Sequence, residues 1–134
     1  MAAPRSNREF IEACIASGDA VRIAQEVDWE NEAGAIVRRV CELAAPAPYM
    51  ESIKDYPGFR YFGAPLSTYR RMAISMGLDP DTPLPELGRV YVQRTNGEPV
   101  APVIVGRDQA PCKENILRGA DVDLCRLPVP LVHD

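Results

Sequence analysis

Hydrophobic and polar positions follow a helical period most clearly in the second quarter of the chain. One apolar stripe there consists of Ala33, Ile36, Val37, Val40, Cys41 and Ala44. Arg38, Arg39 and Glu42 lie off this stripe, as expected for an amphipathic helix with one face toward a core. Pro46 and Pro48 follow and predict the end of the helix, because proline removes a backbone donor and clashes with the preceding turn.

An earlier helix is predicted near the amino terminus. Ser6 and Glu9 have the spacing of a capping box, in which the side chains at a helix start satisfy free backbone N–H groups. The apolar positions that follow at helical spacing are Phe10, Ile11, Cys14 and Ile15. Gly18 is placed to end this helix.

Two later helices are predicted from their first and last residues. Ser67 can cap a helix that stops at Gly77, and its apolar positions are Tyr69, Met72, Ala73 and Met76. Thr82 and Pro83 suit a second start with proline at the first helical position. The apolar positions of that helix are Leu84, Leu87, Val90 and Tyr91.

Short strands are predicted between these helices. The candidates are the alternating positions around Val21 and Ile23, Tyr49 to Ile53, Arg60 to Phe62, and Val100 to Val105. Pro102 restricts the last candidate to an edge or an end of a sheet. Helices that alternate with short strands predict an α/β or α+β fold, a small domain of helices packed on a short mixed sheet.

Composition and charge narrow the class of protein. The chain has 134 residues, of which 46% are hydrophobic and 25% charged, which suits one domain with a real core. Its formal net charge of -4 argues against a nucleic-acid surface. No apolar run approaches the roughly 18 residues that a membrane span requires, and the first residues lack the apolar stretch of a secretory signal. We therefore expect a cytosolic (cytoplasmic) protein without a nucleic-acid or membrane partner.

Thiol and imidazole groups are sparse. Cys14, Cys41, Cys112 and Cys125 are single and far apart, whereas zinc sites usually bring their ligands in close pairs. We interpret them as structural thiols, with the first two on the apolar faces of predicted helices. His133 is the only histidine, so a histidine-based triad or metal cluster cannot be built within this chain.

Acidic residues form three small groups. Asp28, Glu30 and Glu32 precede the strongest predicted helix, where carboxylates interact favourably with the helix dipole without any catalytic role. The D-x-D pairs at residues 79–81 and 121–123 lack the further oxygen ligands of a calcium loop. Taken alone, the residues indicate a scaffold without an active site.

The last part of the chain is rich in proline. Five of the 13 prolines lie between Pro99 and Pro130. The six residues from Leu127 to Val132 read Leu-Pro-Val-Pro-Leu-Val and predict an extended, stiff and apolar segment, because each proline restricts its own φ and the preceding residue. One small domain has no evident way to bury this segment, which predicts a connector toward another module.

Four stretches of the sequence resemble the UbiD decarboxylase family. They are VDWENEAGAIVRRVCE at 27–42, MGLDPDTPLPEL at 76–87, QAPCKENIL at 109–117 and DVDLCRLPVPLVHD at 121–134. In order and spacing the chain is similar to the N-terminal domain of that family, nearest to ferulic/cinnamic acid and related aromatic-acid decarboxylases. Trp29 departs from the pattern, because family members commonly have proline there.

The resemblance implies an N-terminal α/β domain at residues 1–110 and a connector strap at residues 111–134 that leads to a flavin-binding domain. In the family, a central domain holds prenylated FMN (prenylated flavin mononucleotide) through Mn2+, with K+ beside it, and carries the catalytic residues. We therefore expect no catalytic, cofactor-binding or metal residue within this chain. The residues expected to contact the cofactor domain are Leu127, Pro128, Pro130 and His133.

The function that the resemblance implies is that of an N-terminal portion of a non-oxidative (de)carboxylase. The complete enzyme, a lyase (decarboxylase), would act on an aromatic or α,β-unsaturated carboxylic acid as a homo-oligomer, and this segment would be structural and inactive alone. The expected partners are the flavin-binding and C-terminal domains of the same enzyme. The alternative is a stand-alone non-catalytic subunit or interaction module, which a reading frame continuing past Asp134 would exclude.

Overall fold

The computed structural model describes residues 2–131. The elements are α1 (Asn7–Ala16), β1 (Ala20–Val27), α2 (Glu32–Leu43), β2 (Ala47–Ile53), β3 (Tyr61–Phe62), α3 (Tyr69–Ser75) and α4 (Leu84–Thr95). Short 3₁₀ turns follow at Arg107–Gln109, Pro111–Lys113, Gly119–Asp121 and Leu124–Arg126. The predicted small α/β fold is confirmed.

The three strands form one mixed sheet in the order β1-β2-β3. β1 and β2 run parallel, from the pair Ala20 and Ala47 to the pair Val27 and Ile53, with α2 as the connection between them. β3 pairs with β2 in the antiparallel direction. The parallel pair places the carboxyl ends of β1 and β2 side by side at one edge of the sheet.

Hydrophobic side chains cover both faces of the sheet. The buried cluster on the α1 and α3 side contains Cys14, Ala20, Ala47 and Ile74, with Phe10 and Phe62 packed edge to face against it at a ring distance of 6.1 Å. The buried cluster on the α2 side contains Val27, Ala33, Met50 and Ile53. Helices on two faces of a sheet bury more apolar surface than one layer, which explains how a chain of this size supports a core.

The first helix begins and ends where its sequence predicts. The Ser6 hydroxyl accepts a hydrogen bond from the Glu9 N–H at 3.2 Å. The Glu9 carboxylate accepts one from the Arg5 N–H at 2.7 Å, one residue before the position that a capping box uses. Gly18 follows the helix with a φ of 76°, a conformation that costs glycine little.

The starts of α3 and α4 each differ from the prediction by one residue. Thr68, not Ser67, caps α3 and accepts from the Arg71 N–H at 3.3 Å. The Ser67 hydroxyl accepts from the Arg71 side chain instead, at 2.6 Å. This side-chain contact occupies the hydroxyl that the sequence pattern predicts as the helix cap. Pro83 is the residue before α4 and not its first helical position.

The stripe of α2 is buried only over its first turns. Ala33 is fully buried and Val37 and Val40 are half-buried, but Cys41 and Ala44 are exposed, so their prediction on a buried face is wrong. The helix ends at Leu43 because Ala44 takes a left-handed conformation and turns the chain away. Pro48 lies buried within β2, well beyond the helix end.

The strand predicted at Val100 to Val105 is absent. These residues form no regular element, and Ile104 is 97% exposed. A strand needs a neighbour whose backbone completes its hydrogen-bond ladder, and none lies beside this segment within residues 2–131. No helix in the same described part of the chain is long and apolar enough to cross a membrane.

Candidate functional site at the carboxyl edge of the sheet

The carboxyl ends of β1 and β2 carry the most elaborate polar loop of the domain. In sheets with parallel strands, this edge is where binding loops usually lie. The loop after β1 spans residues 28–31, and Lys54 follows β2. Asp28 accepts hydrogen bonds from the Lys54 ammonium and, at 3.0 Å, from the Glu30 N–H. The bond from Lys54 joins the loops that follow the two parallel strands, and the bond from Glu30 closes a tight turn within the loop after β1.

Electrostatics keeps the Asp28 and Lys54 pair ionised. The hydrogen bond from Lys54, with that from the Glu30 backbone, holds the pKa of Asp28 below its usual value. Reciprocally, Asp28 raises the pKa of Lys54. The Glu32 carboxylate accepts from the Asp28 N–H at 2.7 Å. The acidic cluster thus organises the loop before α2, which agrees with the structural role favoured for it.

The end of the described chain is tied to this loop by two backbone hydrogen bonds. The Leu131 N–H donates to the Trp29 carbonyl at 3.0 Å, and the Asn31 N–H donates to the Leu131 carbonyl at 2.9 Å. Together they form a parallel bridge between Glu30 and Leu131. Asn31 has a φ of 66° and a ψ of -39°, outside the left-handed helical region, and lies at the centre of a tight turn in which the Glu32 N–H donates to the Glu30 carbonyl at 2.8 Å.

A second tie lies six residues earlier in the chain. The Tyr56 hydroxyl donates to the Cys125 carbonyl at 2.9 Å. The Tyr56 ring packs edge to face on Trp29 at 6.1 Å and on Phe59 at 6.3 Å. Tyr56 also contacts the buried cluster on the α2 side, so the core of the domain positions this hydroxyl.

The part of the strap that follows this second tie comprises residues 127–131. Its burial alternates, with Pro128 and Pro130 half-buried and Leu127 and Val129 exposed, the latter by 70%. One edge of the strap therefore lies toward the domain and the other carries apolar side chains that no described residue covers. His133, the remaining residue predicted at this contact, lies outside the described residues.

Other candidate groups serve local structure. The Asp79 carboxylate accepts from the Asp81 N–H at 2.8 Å, and Asp81 pairs with Arg70. The Asp123 carboxylate accepts from the Cys125 N–H at 2.9 Å. Within residues 2–131, no three His, Cys, Asp or Glu side chains gather into a group that suits a metal ion. None of these described groups therefore offers a ligand set for a manganese ion.

Sequence analysis missed the most buried charge of the domain, Arg71, at the opposite edge of the sheet. Its guanidinium donates to the backbone carbonyls of Asp19 and Ala45, both at 3.2 Å, just before β1 and β2 begin. Burial lowers the pKa of this guanidinium, and the nearby Asp19 partly offsets the effect. The neighbouring Arg70 pairs with the buried Asp19 carboxylate at 2.8 Å. In the sequence, the only indication of this buried charge is that Arg71 directly follows Arg70.

The fold and the tied strap define a small α/β domain whose chain passes over its own sheet edge and presents apolar side chains outward. The family model described as 3-octaprenyl-4-hydroxybenzoate carboxy-lyase N-terminal domain, UbiD_N, matches residues 11–91. This match covers more than half of the chain. The chain therefore belongs to the UbiD family, as its N-terminal domain.

Curated relatives match nearly the whole chain. Pyrrole-2-carboxylic acid decarboxylase of Pseudomonas aeruginosa is 37% identical over 95% of this chain. Ferulic acid decarboxylase 1 of Candida dubliniensis is 35% identical over 94% of it. In both cases the chain spans only 27% of the relative's length.

Solved structures show the same backbone. Vanillic acid decarboxylase of Sedimentibacter hydroxybenzoicus in its open form matches with a TM-score of 0.89 and 28% identity, over 100% of this chain and 29% of that chain. The closed form matches with a TM-score of 0.77 and 30% identity, over 86% of this chain and 24% of that one. The resemblance thus includes the residues after α4 in the open form.

Proposed function

We propose that this chain is the N-terminal domain of a UbiD-type decarboxylase that acts on an aromatic or α,β-unsaturated carboxylic acid. The observation that carries the proposal is the alignment of 94–95% of the chain with decarboxylases about four times as long. The role of these residues themselves is structural. They form a folded platform from which the strap extends toward the catalytic part of the enzyme.

Prenylated FMN, Mn2+ and K+ belong, in this proposal, to the part of the enzyme beyond these residues. The support is the family resemblance together with the donor chemistry of the chain, which offers no group of metal ligands among residues 2–131. In this proposal the described residues lie outside the cofactor site and take no chemical step in the reaction. We further propose a homo-oligomeric cytoplasmic enzyme, as the family resemblance implies.

The strap is the proposed contact with the cofactor domain. Leu127 and Val129 point away from the described part of the domain, whereas Pro128 and Pro130 lie partly against it. An apolar side chain gains about 25 cal/mol for each Å² removed from water. Covering the outer edge of the strap would therefore stabilise the docked enzyme, and we assign the same role to His133 on sequence grounds.

The test is an assay of the protein produced from the complete reading frame, loaded with prenylated FMN and Mn2+. Pyrrole-2-carboxylate, ferulate and vanillate form a suitable first panel, because the relatives are named for these acids or their close kin. We expect release of carbon dioxide from at least one aromatic or α,β-unsaturated acid. Residues 1–134 alone serve as the matched control and should be colourless and inactive.

Two results would contradict the proposal. A reading frame that ends at Asp134 would favour a stand-alone subunit or interaction module instead. Flavin absorbance and carbon dioxide release from residues 1–134 alone would show that the cofactor site lies within this chain.

A further inference from the structure

Helix α4 has three distinct faces, not the two of a simple amphipathic surface helix. Successive residues of an α-helix are rotated by about 100°. The first face, toward the domain, carries the buried Leu87 and the half-buried Val90. The second face is polar and contains Glu86, Arg89 and Gln93. The third face lies between them and contains Leu84, Gly88, Tyr91, Val92 and Thr95, which we call the outer stripe.

The outer stripe is apolar and uncovered within the described residues. Leu84, Tyr91 and Val92 are each about half-exposed. Gly88 has open space where a side chain would start. Glycine in a helix interior weakens the helix and gains nothing here from the chain's own packing. A glycine between large apolar residues is suited to the close approach of another backbone.

The domain itself holds α4 by few contacts. Leu87 is its only fully buried residue, and the Arg94 side chain donates to the Met76 carbonyl at 2.6 Å. Apart from the half-buried Ala110, residues 96–126 are exposed, including apolar side chains such as Val103 and Ile104. The path of α4 and its continuation is therefore weakly determined by residues 2–131.

The solved structure in the open form nevertheless aligns with the whole of this chain, including α4 and the residues after it. Its match extends over 100% of this chain with a TM-score of 0.89, while these residues make up 29% of that chain. A segment with so little internal packing loses conformational entropy when it takes one path, so contacts outside it must compensate. The remaining 71% of that longer chain is the source of such contacts that is covalently continuous with this segment.

We infer that the outer stripe of α4 docks on the part of the same polypeptide that follows residue 134. This inference rests on the proposed function, because it requires the longer enzyme. Three half-exposed side chains offer far less than the roughly 1,200 Å² that a stable interface between separate proteins buries. Covalent connection removes most of the entropy cost of association, so a small apolar face is sufficient within one polypeptide.

Photo-cross-linking tests the inference in the protein produced from the complete reading frame. Tyr91→p-benzoylphenylalanine places a photoreactive ring in the outer stripe, at a half-exposed position that tolerates an aromatic side chain. Gln93→p-benzoylphenylalanine on the polar face is the matched control. Equal amounts of light and heavy isotope-labelled protein are dissociated together and reassembled before irradiation, so that mass spectrometry separates links within one chain from links between two chains.

The expected result is a peptide pair that joins α4 to a sequence beyond residue 134 within one chain, formed from position 91 and lost at position 93. Mixed light–heavy pairs would assign the stripe to a second copy and overturn the inference. Links confined to residues 1–134, equal links from both positions, or no links would overturn it as well. The cross-linking result does not depend on enzyme activity. A protein that docks here but is inactive in the separate decarboxylase assay would therefore contradict only the proposed function.

Discussion

Cys14 shows how one residue takes its chemistry from its surroundings. It is fully buried between α1 and the sheet, and this burial raises the pKa of its thiol to about 11. The nearby Arg71 opposes this effect and Asp19 adds to it, but desolvation is the largest cause. The thiol therefore stays protonated at neutral pH and packs as a small hydrophobic group. Its predicted structural role is confirmed, whereas Cys41 is exposed.

The raised pKa of Cys14 predicts a pH dependence of stability. The unfolded thiol titrates near its ordinary value of 9.0 and the folded one near 11, so between these pH values the unfolded state binds fewer protons. The contribution of the Cys14 thiol to the free energy of unfolding is complete below pH 9. It is lost as the pH rises toward 11, by up to about 1.4 kcal/mol per pH unit. Urea unfolding at pH 8, 9 and 10 measures this decline in the free energy of unfolding.

Cys14→Ala should lower stability at every pH but reduce the decline above pH 9. Cys41→Ala, at an exposed position, should keep the decline of the parent protein and serves as the control. An identical pH slope in the parent and in Cys14→Ala would show that the burial of this thiol does not control its titration.

At the scale of elements, capping signals and apolar periods identify most helices and strands. Ser6 and Gly18 bound α1 because both act through residues at most four positions away. Ser67 failed as a cap because the Arg71 side chain occupies its hydroxyl. The strand predicted at Val100 to Val105 failed because a short apolar run alone supplies no neighbouring strand.

The tie between the domain and the strap is a testable property of these elements. Tyr56→Phe removes the hydrogen bond to the Cys125 carbonyl while keeping the ring contacts with Trp29 and Phe59. A hydrogen bond contributes about 0.5–1.5 kcal/mol, so strap opening should become a few-fold more frequent. Hydrogen exchange of the Leu131 amide, which bonds to the Trp29 carbonyl, measures this opening.

Tyr49→Phe is the control for this measurement. It also removes one hydroxyl, which accepts from Arg60 at 3.2 Å on another part of the sheet, and should leave Leu131 exchange unchanged. Equal exchange in the parent and in Tyr56→Phe would mean that the Glu30–Leu131 bridge holds the strap without help from Tyr56.

For the whole molecule, the distribution of exposed apolar residues separates a self-sufficient part from a dependent part. The two buried clusters draw on residues from α1 to α3, and Leu87 is the last buried residue along the described chain. Beyond it, apolar side chains such as Ile104 and Val129 are mostly exposed. The proposed longer enzyme would cover these side chains, which makes the final third of this chain an interface.

Val129→Asp tests whether the rest of the proposed enzyme covers this final third of the chain. In residues 1–134 alone, a charge at this 70% exposed position should change the free energy of unfolding by no more than about 0.5 kcal/mol. In the complete enzyme the same charge would be buried without a partner, and stability should fall by several kcal/mol. Thermal and urea unfolding of both proteins give the comparison.

Arg39→Ala is the matched surface control, because its side chain is exposed and, among residues 2–131, pairs only with Glu42 in its own helix. Arg39→Ala should lower the free energy of unfolding by less than about 1 kcal/mol in both proteins. Equal small effects of Val129→Asp in the two proteins would contradict burial of the strap by the remainder of the enzyme.

The sequence by itself determined what depends on near neighbours: the cap at Ser6, the stop at Gly18 and the family resemblance. The apolar, proline-rich composition of the segment from Leu127 onward predicts that another module covers it, and this stays a prediction. Only the tertiary structure decided that Arg71 is buried, because its acceptors lie at Asp19 and Ala45, 52 and 26 positions away.

The tie of Leu131 to the loop after β1 was likewise decided by the fold. The bridge joins positions about a hundred residues apart, and neither partner carries a local signal for it. The third face of α4 became visible only when the structure showed which apolar positions the domain covers and which it leaves free. Periodicity shows that a side chain is apolar, whereas burial depends on what the rest of the chain places against it.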